Sequence, residues 1–418
     1  MHTLAAVQAG AEIRAREVPS PGGIRVLHLI HRFYVGGAER QFIERLRAHP
    51  DGFEPVVGCL EISGGNLADF RALGLGEPHL FPLRRSLLRF NTAIQVLRMA
   101  RLIRRLGIRI VHGTDFVTNF LGLLAARLAG ARIVVSRVDL GHERPAFGPL
   151  HRRVEKLVSA LGDVVCANAE AVARLCIAEE GCAPDRVVVV RNGIDLRRFD
   201  ELSAQAPAGP IPEGGPLVAV VANLWPVKDH RTLVEAAALV RRQVPDVRFG
   251  VVGDGPERTY LERRVGELGL RGAVHFLGTR YDVPAILARA SAFCLPSRAE
   301  GLSNAIMEAM AAAVPVVATD AGGNAELVQH GGTGFVVPVG DATSLAQRLV
   351  ELLVDPARAR EMGRRGRARA ERELSLERKR AAYADLYCRL LDSPAPLSAA
   401  RAKGAGAPAP LAGEQDRP

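Results

Sequence analysis

Short apolar runs recurring at helix-length intervals, twice along the chain, constrain this sequence more than any other feature. Ile24 to Ile30 (IRVLHLI) reads as a buried strand that runs into Gly36-Gly37-Ala38-Glu39 and then a helix-like stretch, Glu39 to Ala48. Similar strand-like segments follow at Arg109–His112, Arg132–Ser136, Asp163–Ala167 and Arg186–Val190. After the Ala/Pro/Gly-dense stretch from Ser203 to Pro216 the plan repeats, with Leu217–Val221, Arg248–Val252, Ala273–Leu277, Ala292–Leu295 and Val314–Ala318. Alternation of this kind calls for parallel sheets covered by helices, so the expected fold is α/β with two doubly wound, Rossmann-like domains. With 418 residues the chain is long enough for a sizeable core in each.

The expected division is a mobile tail over 1–23, a first domain over 24–202, a linker over 203–216 and a second domain over 217–372. A helix over 373–391 and a disordered Ala/Pro/Gly tail over 392–418 complete it.

Composition removes several classes. No apolar run reaches the roughly 18 residues needed to span a bilayer, because arginines interrupt each candidate. The N-terminus lacks the basic start of a secretory signal, so a cytoplasmic location is expected. The six cysteines are scattered without a C-x-x-C and the histidines show no H-E-x-x-H, which argues for reduced thiols and no protein-bound metal. The net charge of +10 implies an acidic partner, while 5% aromatic residues and the lack of a recognisable motif argue against nucleic acid. Residues 78–114 hold eight arginines and no acid. There Val96, Met99, Ile103 and Leu106 can share one helical face, so peripheral contact with an anionic membrane is an expectation.

The most informative segment is Pro296 to Gly323, PSRAEGLSNAIMEAMAAAVPVVATDAGG. Ser303 can cap the helix that follows, leaving first-turn amides and the positive dipole end to face an anion. Glu308 lies about five residues further in, roughly 7.5 Å along the axis. This segment, with Glu300 and Glu308 separated by seven residues, resembles the signature of retaining glycosyltransferases of family 4, whose two-Rossmann-domain architecture is GT-B. The resemblance spans about residues 24–391 and is strongest in the second half. It implies a nucleotide-diphosphate sugar as donor, a glycan or lipid-linked acceptor, no metal, and a C-terminal helix crossing back to the first domain.

Carried onto this chain, the resemblance gives Glu308 the ribose hydroxyls and Glu300 the hydroxyls of the transferred sugar. Gly301, Leu302, Ser303 and Asn304 complete that donor-binding stretch. Lys228, after the strand Leu217–Val221, matches the lysine that holds the diphosphate, but Asn223 stands where relatives place an arginine; Arg231 or Arg298 are the candidates to replace that charge. Gly253 and Gly255, in Gly253-Asp254-Gly255-Pro256, and Gly278 match positions near the nucleotide. Gly36 and Gly37 match the glycine loop facing acceptor and phosphates. His112 falls near a family histidine pair whose second position is Thr114 here, so it reads as structural, as does the turn Asn192-Gly193-Ile194-Asp195. An NAD-dependent oxidoreductase would need a G-x-G-x-x-G, and Arg258 occupies the third glycine position. A catalytically silent sugar-binding relative is the remaining alternative.

Overall fold

The computed structural model describes residues 23–83, 90–141 and 148–392. The tails expected at either end lie almost wholly outside the described residues. The first lobe comprises β1 (Ile24–Ile30), α1 (Gly37–Arg47), β2 (Phe53–Cys59), α2 (Leu67–Arg71), β3 (His79–Leu80), α3 (Phe90–Leu106) and β4 (Ile110–His112). It continues through α4 (Phe116–Ala129), β5 (Arg132–Arg137), α5 (Pro149–Leu161), β6 (Val164–Ala167), α6 (Glu170–Ala178) and β7 (Val187–Val189). The second lobe opens with α7 (Leu196–Ser203), β8 (Leu217–Val221), α8 (His230–Gln243), β9 (Arg248–Val252), α9 (Arg258–Glu267), β10 (Val274–Gly278) and α10 (Val283–Leu287). It closes with β11 (Ala292–Leu295), α11 (Asn304–Ala311), β12 (Val316–Thr319), α12 (Asn324–Leu327), β13 (Gly334–Val337), α13 (Ala342–Val354) and α14 (Pro356–Glu373), before α15 (Leu376–Asp392).

Each lobe is built on one parallel sheet, ordered β3-β2-β1-β4-β5-β6-β7 in the first and β10-β9-β8-β11-β12-β13 in the second. This is the GT-B arrangement. Strands buried on both faces carry near-continuous apolar runs, which is why Leu217–Val221 and Ala292–Leu295 read so plainly as strands. Strand β2 is absent from the sequence reading because Pro55 interrupts it. Its partner β3 reaches only Gly58 and Cys59, so at Pro55 β2 has a free edge where a missing N–H costs no ladder bond.

The strand order reverses beside β1 and beside β8, and loops leaving strand ends at such a reversal diverge to open a crevice. The two crevices face each other. The chain crosses to the second lobe before α7, whose helix packs on α10, earlier than the expected linker. It returns at α15, and the two crossings are bonded together, Ile194 N donating to Leu374 O at 2.9 Å. One apolar core is shared by both lobes, joining Val172 and Cys176 to Phe293, Ile306 and Leu374. On the first sheet, Tyr383, Leu386, Tyr387 and Leu390 of α15 pack against Val26, Ile110 and Val134.

The membrane-facing stripe expected on α3 is corrected by this packing. Val96, Met99 and Ile103 lie in the core with Leu121, Leu123 and Ala125 of α4, so that face meets protein. His112 is structural: its Nδ1 is 2.8 Å from the Tyr387 hydroxyl and its Nε2 is 3.0 Å from Ser136 Oγ. Nearby, His28 and His49 bring their Nε2 atoms within 3.1 Å. Burial, and after it the Arg45 guanidinium, hold His28 and His112 well below the usual imidazole range. Burial is also the main cause that lowers His49, to about 4.

An unfolded chain protonates these imidazoles below about pH 6.5 while the folded chain resists, so the unfolded state binds more protons and stability falls as pH drops from there toward 4. Melting curves across that range should show a falling midpoint, with a shallower fall in His49→Gln. An equal slope in both proteins would contradict the assignment.

Candidate functional site

Lys228 and Glu300 meet because they leave the two strands flanking the reversal in the second sheet. Beyond β8 the chain forms a tight turn, Pro226–Lys228, and Asp229 follows in the left-handed region with φ 47°. The Asp229 carboxylate is buried, caps α8 through Thr232 Oγ1 at 2.8 Å and pairs with Arg298 Nε at 3.1 Å. This fixes Lys228 so that Nζ lies 2.6 Å from Glu300 Oε1. Ser297 Oγ, beyond β11, donates to the same oxygen at 2.6 Å.

Two glycines let the loop of Glu300 sit this low. A Cβ on Gly322 would fall 1.9 Å from Glu300 O, and one on Gly323 would fall 2.1 Å from Gly301 O. Ser303 then caps α11, accepting from Ile306 N at 3.4 Å, and the remaining first-turn amides have no partner within the helix.

The first lobe supplies the opposite wall. Gly37 O accepts from Asn304 Nδ2 at 3.0 Å, and Asn304 Oδ1 accepts from Gln41 at 3.0 Å and from Asn192 at 2.9 Å. One turn into α1, Arg40 crosses the gap and pairs with the buried Glu308 Oε1, whose charge is the largest influence raising the guanidinium pKa. Gly301 approaches so closely that a Cβ there would stand 2.1 Å from Val138 O. Between the walls lies a cleft of about 790 Å³.

Of the residues singled out in the sequence, Glu300, Lys228, Glu308, Asn223, Gly301, Leu302, Ser303, Asn304, Gly253, Gly36 and Gly37 line this cleft. Gly255 and Gly278 do not line it. Gly278 O accepts from Gly253 N at 2.8 Å, and a Cβ on Gly255 would lie 2.6 Å from Leu224 O, so both shape the loop from behind. Neither Arg231 nor Arg298 supplies the charge missing at Asn223. Arg231 is held by Glu257 at 2.6 Å and stacks on Tyr260, and Arg298 is held by Asp229. Arg40 reaches the cleft, which Lys228, Arg47, Arg198 and Arg280 also line, and sequence reasoning missed it because only the facing of the lobes brings α1 to α11.

Comparison with known proteins agrees with this fold. Residues 35–198 match glycosyltransferase family 4 and residues 203–369 match the glycosyl transferases group 1. A GDP-mannose-dependent alpha-(1-6)-phosphatidylinositol monomannoside mannosyltransferase of Mycolicibacterium smegmatis is 34% identical over 289 residues, 65% of this chain and 74% of the relative. The chain belongs to the group 1, family 4 glycosyltransferases. A UDP-Gal:alpha-D-GlcNAc-diphosphoundecaprenol alpha-1,3-galactosyltransferase of Escherichia coli is 28% identical over 355 residues, 79% of this glycosyltransferase and 88% of the relative. Among solved structures, Anabaena HepE in complex with UDP and glucose superposes with a TM-score of 0.76 at 23% identity, over 87% of this chain and 99% of that one.

The close approach at Gly301 gives a direct test. Gly301→Ala must push the lobes apart at that point, a strain on the order of 1–3 kcal/mol, and should lower the melting midpoint by several degrees. Gly272→Ala, where nothing lies within 4 Å, is the control and should melt like the parent. Equal melting of all three would contradict the contact.

Proposed function

We propose that this glycosyltransferase moves a hexose or N-acetylhexosamine from a nucleotide-diphosphate sugar to a glycan or lipid-linked acceptor, with retention of anomeric configuration and without a bound metal. The observation that carries the reading is the convergence of two carboxylates, two cations and a helix N-terminus on one cleft. Relatives named for UDP-galactose and GDP-mannose donors, and for diphosphoundecaprenol and phosphatidylinositol acceptors, support the substrate classes.

In the ligand-free arrangement each carboxylate holds one cation, Glu300 with Lys228 and Glu308 with Arg40. A diphosphate at the start of α11 draws both cations to itself, and hydroxyl donors replace them on the carboxylates. Glu308, inside the helix, takes the ribose; Glu300, in the loop, takes the sugar. Lys228, Arg40 and the first-turn amides then face the charge that grows on the departing diphosphate, which is stabilisation by preorganised groups. Asn223, exposed at the cleft, donates hydrogen bonds without charge.

Donor hydrolysis or transfer should be measurable against a panel of UDP- and GDP-sugars and should survive EDTA treatment. Activity restored only by Mg2+ or Mn2+ would refute the metal-free reading, and nucleotide binding with no turnover of any donor would favour a silent relative.

Calorimetry with the nucleoside diphosphate, beside steady-state kinetics, separates the roles. Glu308→Gln should weaken nucleotide binding and raise the donor KM, whereas Glu300→Gln should lower kcat and leave nucleotide affinity nearly unchanged. Each loss should be roughly 10- to 150-fold, for a charged hydrogen bond of about 1.5–3 kcal/mol. Arg40→Ala decides the role of the cross-cleft cation by sign. Weaker nucleotide binding is expected; tighter binding would mean that Arg40 only competes with the ribose for Glu308.

A further inference from the structure

The segment 301–304, which leads from Glu300 into α11, is gripped by three successive loops of the first sheet. After β5, Val138 O stands so near Gly301 that a Cβ there would lie 2.1 Å from it. After β6, Asn168 Nδ2 would lie 3.1 Å from the same added atom. After β7, Asn192 Nδ2 donates to Leu302 O at 3.2 Å. Asn168 is thus a first-lobe side chain packed against the residue that follows Glu300, and it lines the cleft.

This side chain is firmly held and only half used. Asn168 is 5% exposed, its backbone N donates to Arg137 O at 3.1 Å, and its Nδ2 donates to Val138 O at 3.2 Å. Just beyond it the amides of Glu170 and Ala171 are taken by the Glu326 carboxylate of the second lobe, which fixes the stretch at its other end. A backbone carbonyl can only accept, so the contact with Val138 sets the amide nitrogen on that side and leaves the oxygen on the other. Among the described residues nothing donates to Asn168 Oδ1. Asn304, on the same segment, bonds at both ends of its amide, donating to Gly37 O and accepting from Gln41 and Asn192. A buried amide oxygen without a donor costs stability, and a binding site tolerates one where a ligand supplies the donor.

The chemistry of the missing partner is narrow. A neutral amide oxygen accepts from O–H or N–H and offers nothing to an ionised diphosphate, which carries acceptors alone. The ribose is assigned to Glu308, more than a turn inside α11, whereas Asn168 packs beside the loop of Glu300. We infer that Asn168 Oδ1 accepts a hydrogen bond from a hydroxyl of the sugar being transferred, on the wall facing Glu300. The first lobe then reads the sugar directly, in addition to closing over it. The inference rests on the donor reading of the cleft given under the proposed function.

Calorimetric titration of the full chain tests it, with UDP against UDP-glucose, UDP-galactose and UDP-N-acetylglucosamine, and GDP against GDP-mannose. The quantity read is the Kd of the free nucleotide divided by the Kd of its sugar conjugate. For the conjugate that the parent binds best, Asn168→Ala should lower this ratio about three- to tenfold, the loss of one neutral hydrogen bond, with the Kd of the nucleotide itself unchanged. Asn168→Ser, whose hydroxyl can still donate to Val138 O, should show the same loss and covers the case in which the alanine variant does not fold. A merely structural asparagine would loosen the lobes and weaken nucleotide and conjugate alike. A ratio that stays at the parental value in both variants would therefore overturn the inference while sparing the donor reading. A parental chain that binds none of these compounds would overturn the donor reading and the inference with it.

Discussion

The arrangement turns on a topological constraint, the reversal of strand order between β8 and β11. Neighbouring strands whose connections run to opposite sides leave their outgoing loops free to converge, and here the loops bring Lys228 to Glu300 at 2.6 Å. Much of the local chemistry serves to hold those loops. Asp229 accepts a left-handed backbone, Ser297 shares the Glu300 oxygen, and Gly322 and Gly323 leave room where any side chain would collide. A buried carboxylate such as that of Asp229 is tolerable only because Thr232 and Arg298 satisfy it.

The second constraint is that the lobes share a core and cross the chain at paired positions. The carboxylate of Glu326, from the second lobe, accepts from the amides of Glu170 and Ala171 at the start of α6, joining the lobes a second time. Against these contacts the Arg40–Glu308 pair is a minor tie, since burying the Glu308 carboxylate costs desolvation that offsets much of its attraction to the half-exposed Arg40. Its removal becomes costly only if the buried Glu308 is left without a donor, roughly 1–3 kcal/mol for an unsatisfied group. Under the proposed function, therefore, Arg40 leaves as hydroxyl donors arrive, and the exchange couples the two walls of the cleft.

Much of the fold was legible in the sequence because parallel strands buried on both faces must be apolar throughout, and most of the strands carry that signature. Strand β2 escaped because Pro55 and Glu54 break the run, and only the shortness of β3 makes them harmless. The donor-side residues were legible because they lie within one contiguous segment around α11. Direction was not legible. Arg231 stands three residues from Lys228 yet points to Glu257 from within α8. On α3, two apolar faces have similar spacing, and the sequence cannot say which one meets the sheet. Arg40 needed the facing of the lobes, a long-range property that no local pattern encodes.

The C-terminal helix shows how far that long-range organisation reaches. Lys379 of α15 is buried, and burial lowers its pKa to about 7, so its ammonium is a poor tenant of that site unless well bonded. It donates to Gln41 Oε1 at 2.6 Å and to Gln41 O at 3.2 Å. Gln41 in turn donates to Asn304 Oδ1, at the start of α11. A chain of hydrogen bonds thus runs from the returning helix through α1 to the helix terminus at the heart of the cleft. Gln41 is the residue next to Arg40, so the contact that anchors α1 to α15 also sets where Arg40 emerges. The crossing of the last helix back to the first lobe is then part of the site, because it determines the position of a cation that no neighbouring residue in sequence could supply.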